Sequence, residues 1–237
     1  MENTGYTTLT RQTGLLREMT LIANNIANAS TTGFRQEGMI FSEYIASPDD
    51  APSISMANGN VRNTSYAQGT LSQTGGTFDF AIEGDAFFLV ETANGERLTR
   101  AGSFLPNEAG ELVTADGNRV LDAGGAPVFI PPNTAISVAS DGTLSADGRP
   151  LAQIGLVKPS GESGALLRET GVLFEAEEGF EEAEDATMVQ GFLESSNVNT
   201  VLQLTRMIEV QRAYEMGQKF LEREDERVRS AVKSMIR

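Results

Sequence analysis

Two segments at opposite ends of this chain carry apolar residues at helical spacing and cannot bury them alone. The chain must therefore bring its ends together or offer them to other chains. In the first segment, 6–28, Leu9, Leu16, Met19, Ala23 and Ile26 fall on one series that Gln12 completes, and Leu15, Ile22 and Ala29 run beside it seven residues apart. A stripe at this period predicts one amphipathic helix roughly 35 Å long. Arg11, Arg17 and Glu18 fall largely off the stripe, and Asn28, Ser30, Thr31, Thr32 and Gly33 supply its stop. In the second segment, 198–236, Met207, Tyr214, Leu221, Val228 and Met235 recur every seven residues. Leu204, Gln211, Gln218, Asp225 and Val232 form a second, mixed line, and Val198, Val201, Ile208 and Val210 add apolar surface on adjacent faces. A seam that is half polar is no ordinary two-stranded zipper. It predicts a helix with one packed face and one face toward solvent or a polar lumen.

Between the ends the period changes to that of strands. From 69 to 172 short β runs such as FDFAIEG, AFFLVE, RVLD, PVFIP and AQIGLV are cut by turn signals at Asn94-Gly95, Asp116-Gly117, Asp141-Gly142 and Asp147-Gly148. Short strands without intervening helices predict an antiparallel barrel or sandwich. An internal echo, GELVTADG at 110–117 and GTLSADG at 142–148, reads as two similar hairpins. The stretch 34–68 reads as an extended linker with one strand, loop-like around Pro48, Pro52 and Asn58-Gly59. The acidic run EAEEGFEEAED, 175–185, lacks calcium-loop spacing and reads as a solvated connector. The chain is thus expected to be α+β: an N-terminal helix in 1–33, a linker in 34–68, a β domain in 69–188 and a C-terminal helix in 189–237.

Composition narrows the chemistry. The 237 residues contain no Cys, His or Trp, so thiol and imidazole catalysis and their metal sites are excluded. A net charge of −15 argues against nucleic acid or anionic membrane as partner. Asp79, Glu83 and Asp85 could in principle make a paired-carboxylate site, but exposed carboxylates are the commoner outcome. Gly75-Gly76 and Gly124-Gly125 lack a phosphate-loop lysine and read as turns. No cofactor, metal or catalytic residue is expected. The N-terminus lacks a secretory signal and no run reaches the ~20 apolar residues of a membrane span. By general secretion rules the chain would be cytoplasmic.

Four ordered phrases carry a resemblance. ANNIANASTTGFR at 23–35, GTLSQTGGTFDFAIEGDAFFLV at 69–90, LTRAGSF with GELVTADGNRVL across 98–121, and QGFLESSNVNTVLQLTRMIEVQRAYEMGQKFL at 190–221 are similar to phrases of the flagellar basal-body rod and hook family. The chain departs from that pattern at Thr8 and Thr10, where small residues are usual, and at Ala86, where a Gly often precedes the paired aromatics. The resemblance implies a structural subunit of the rod. Its end helices would pair as a coiled-coil-like unit lining a hollow shaft, with the β domain outside. Partners would be other rod subunits, copies of itself and the flagellar type III export apparatus, with no membrane insertion. The location would be the periplasmic rod, reached without a cleaved signal.

Packing positions implied on the first helix are Leu9, Leu16, Met19, Ile22, Ala23, Asn24, Asn25, Ile26 and Asn28. Those on the second are Val201, Leu204, Met207, Ile208, Gln211, Tyr214, Leu221 and Val228. The asparagines admit two readings, caps at a helix end or hydrogen bonds between helices and subunits. The ends are expected to be poorly ordered in the free chain and to fold as subunits assemble.

Overall fold

In the computed structural model the first apolar stripe forms helix α1, Glu2–Ala27, about 39 Å long. Helix α2, Thr200–Met235, is about 54 Å long. Asn199 caps it, its side-chain oxygen accepting the N–H groups of Val201 (3.1 Å) and Leu202 (3.2 Å). Leu15, Ile22 and Val210 form the buried core between the helices, with Met19, Ile26, Met207, Ala213 and Tyr214 packed around it. Residue 12 meets 214, residue 18 meets 206 and residue 25 meets 203, so the helices run antiparallel.

Strands β1, Glu37–Ala46, and β2, Ile54–Thr64, pair antiparallel and lie against α1. The stretch read as a linker therefore holds a long two-stranded ladder. Asn58-Gly59, read as a turn, sits inside β2. The register passes from Ile40↔Val61 to Phe41↔Gly59, which leaves Asn60 as an extra residue, so the glycine marks a bulge. Pro48 and Pro52 lie outside the described residues, which are 2–46, 54–160, 166–183 and 185–235.

The chain divides into two compact units. One gathers Met1–Ala27, Gln36–Ser65 and Asn199–Arg237; the other gathers Asn28–Arg35 and Tyr66–Val198. In the second unit the order of pairing is Leu166–Thr170, Leu173–Ala176, Gly95–Thr99, Phe87–Thr92, Arg119–Val120, Leu112–Thr114, Phe104–Pro106, all antiparallel. Leu156–Pro159 joins both Phe87–Thr92 and Phe180–Glu182. No ladder among the described residues joins the two ends of this path, so the expected barrel does not close. A smaller sheet holds Ile136–Val138, Thr143–Ala146 and Arg149–Gln153. The echoed phrases do form two hairpins, and in the second both Asp147 (φ 49°) and Gly148 (φ 76°) are left-handed, as a tight primed turn requires.

The run FFLV is buried on both faces of its strand. Phe88 and Val90 face a core with Phe80, Phe104, Leu112 and Leu144, while Phe87 and Leu89 face a second core with Leu98, Leu121 and Phe174. Phe88 and Phe104 meet edge to face, with ring centroids 5.1 Å apart. The acidic run is not a connector, since it contributes to the strands Leu173–Ala176 and Phe180–Glu182. Its described glutamates are exposed, and two of them pair across strands, Glu181 with Lys158 and Glu175 with Arg97.

Candidate assembly interface

The structure sorts the predicted packing positions into those used within the chain and those left outside it. Ile22 and Asn25 are buried in the first unit, and Met19, Ile26, Met207 and Tyr214 pack beside them. Leu221 and Asn28 are half-buried. Leu9, Leu16 and Ala23, seven residues apart, are exposed on α1, as is Asn24. On α2, Val201 (72% exposed), Leu204, Ile208 and Gln211 face away from α1, and Val228 is exposed toward the far end.

Among the residues that meet α1, Gln203, Met207, Val210, Tyr214 and Gly217 alternate by four and three. The seven-residue line through Met207 and Tyr214 is therefore half of the seam. Its other half is Gln203, Val210 and Gly217, rather than the mixed line through Leu204 and Gln211. Gly217 is there for space: a Cβ on it would lie 2.0 Å from Gln12 Nε2, which donates to the Tyr214 carbonyl at 2.8 Å. Glu18, expected off the stripe, is buried because Arg206 reaches over to it at 2.7 Å, and that contact raises the Arg206 pKa.

Asn25 is used within the chain. Its Nδ2 donates to the Glu37 carbonyl (2.7 Å) and to Gln203 Oε1 (3.3 Å), and its Oδ1 accepts the Glu37 N–H (3.0 Å). One side chain thus copies a strand partner for β1 while touching both helices. Asn25→Ala strips acceptor and donor from a buried backbone pair. It should cost the first unit about 1–3 kcal/mol, with the melting of the second unit unchanged. Differential scanning calorimetry of the two transitions checks this.

The second unit holds a charged cluster that its sequence did not reveal. Glu194, 1% exposed, accepts from Arg35 Nη2 (2.9 Å), Arg100 Nη1 (3.1 Å) and the Gly69 N–H (2.9 Å). Arg35 also donates to the carbonyls of Tyr66 and Ala67, and Arg100 to those of Ile82 and Gly84. Burial lowers both arginine pKa values, Arg100 to about 10, while Glu194 opposes the shift. Phe34 lies under the Arg168 guanidinium, 4.4 Å from it, and Arg168 also covers Phe174 at 4.5 Å. Gly33 is left-handed (φ 69°), and a Cβ on it would meet the Arg100 backbone at 2.3 Å. Arg35, Arg100 and Glu194 each belong to a different one of the phrases quoted above. Those phrases converge on one buried carboxylate.

The candidate carboxylates of catalysis are dispersed. Asp79 accepts from Thr74 Oγ1 at 2.6 Å, and Glu83 and Asp85 are exposed. Among the described residues no group of three His, Cys, Asp or Glu is placed to hold a metal, and no helix is long and apolar enough to cross a membrane.

Three family descriptions match successive parts of the chain: "Flagella basal body rod protein" at residues 6–35, "Flagellar hook protein FlgE/F/G D1 domain" at 81–146, and "Flagellar basal body rod FlgEFG protein C-terminal" at 189–234. The flagellar basal-body rod protein FlgF of Mesorhizobium japonicum is 40% identical over 218 residues, 91% of this chain and 90% of the relative. FlgF of Caulobacter vibrioides is 39% identical over 244 residues, 99% of this chain and 98% of the relative. The rod protein FlgG of Bacillus subtilis is 30% identical over 88% of this chain and 90% of its own length.

Proposed function

We propose a function from one premise: the chain belongs to the flagellar basal-body rod protein family. It is a structural subunit of the bacterial flagellar basal-body rod, in the proximal section, and works by assembling with other rod subunits. The distal rod protein is the second reading. Identities of 40% and 39% to FlgF relatives, against 30% to a FlgG, favour the proximal member.

The terminal helices form a coiled-coil-like inner unit, and their outward apolar side chains meet neighbouring subunits around the shaft. The observation that carries this is the exposure of Leu9, Leu16, Val201, Leu204, Ile208 and Val228 on helices that have already buried another face. The chain reaches the rod through the flagellar type III apparatus without a cleaved signal, and its work is structural and not catalytic. Deleting the gene should leave basal bodies without a complete rod and cells without motility, and the full chain supplied in trans should restore both. Complete rods and normal swimming in the deletion strain would overturn the assignment.

A further inference from the structure

Beside Glu194 the second unit encloses a cavity of about 250 Å³, lined by Arg35, Arg100, Lys158, Asp85, Tyr66 and Phe87. Three cations face one acid in a chain whose net charge is −15. Arg35 and Arg100 are 1% and 2% exposed, and the Nε–H of each has no hydrogen-bond partner although their terminal nitrogens are all but spent on Glu194 and carbonyls. A buried donor left without an acceptor is costly, and here two such donors belong to side chains on one cavity wall. Lys158 pairs with Glu181 at 3.2 Å, and that pair is half exposed. Asp85 is exposed, acts on both guanidiniums, and forms no ion pair among the described residues.

We propose that this cavity is a binding site for a carboxylate. A carboxylate has two acceptor oxygens, one for each of the two unpartnered Nε–H donors. The rings of Tyr66 and Phe87 supply apolar surface for the stem that carries the group, as in a glutamate side chain.

The test is an NMR titration of the full chain that follows the Nε–H signals of Arg35 and Arg100, with exposed Arg229 as control. The probes are sodium acetate and a blocked tripeptide with a central glutamate, each against sodium chloride at matched ionic strength. Both carboxylates should shift Arg35 and Arg100 saturably and leave Arg229 still. Tighter binding of the peptide would identify a polypeptide side chain as the source, and tighter binding of acetate a free small carboxylate. Asp85→Asn should tighten binding and Lys158→Gln weaken it, each about fivefold, without moving the melting temperature. No shift with either probe, an equal shift with chloride, or affinities that ignore both substitutions would overturn the site.

Discussion

Glu194→Ala should cost the second unit about 3–5 kcal/mol, a larger loss than any exposed substitution in this chain could cause. Removing the carboxylate leaves the Arg35 and Arg100 guanidiniums, 1% and 2% exposed, facing each other with no ion partner in contact. It also frees the Gly69 N–H, so the loss includes an orphaned backbone donor. Desolvation, not Coulomb attraction, decides the size: the two cations are already out of water, and the mutation removes only what compensated them. The converse follows. Replacing Arg35, Arg100 and Glu194 together with apolar residues of similar volume should recover much of the loss, because no buried charge then remains. Calorimetry on the single and triple variants separates the cases. A single variant that loses under about 1 kcal/mol would mean that water reaches the cluster freely.

The same cluster shows where sequence reasoning stopped. Arg35, Arg100 and Glu194 are charged, and charged residues are almost always exposed unless paired. Their ion pairs join residues 94 and 159 positions apart, for which no local pattern exists. The ladders Leu71–Gln73 with Phe192–Glu194 and Phe80–Glu83 with Thr187–Gln190 are equally silent, since each joins the entry of the second unit to its exit. The helices were legible because apolar spacing is a local signal. Their partner line was half legible, because Gln203 and Gly217 occupy seam positions without being apolar and are chosen for a hydrogen bond and for clearance. The ladder of β1 and β2 was hidden by a dipeptide that serves hairpin turns and bulges alike.

Replacing Val201 and Ile208 together with aspartate should abolish incorporation into the rod while leaving the first unit folded. Both residues lie roughly 140–160° around α2 from the seam with α1, and both are more than half exposed, so the isolated chain gains nothing from their apolar character. Melting should therefore move by no more than about 0.5 kcal/mol. In an assembled rod each side chain buried against a neighbour would contribute about 1.5–3 kcal/mol, and two such losses weaken association by roughly 10² to 10⁴. Adding the same charge at Gln211 and Gln218, both already polar and exposed, separates lost burial from repulsion in a chain of net charge −15. Competition between mutant and wild-type chains for incorporation into purified basal bodies gives the ratio directly. Hydrogen exchange supplies the second readout: amides of Glu2–Ala27 and Thr200–Met235 should gain protection on assembly of the wild-type chain and not of the double variant. Equal incorporation of the double variant would make this face of α2 a solvent face and leave Leu9, Leu16 and Val228 to carry the contact.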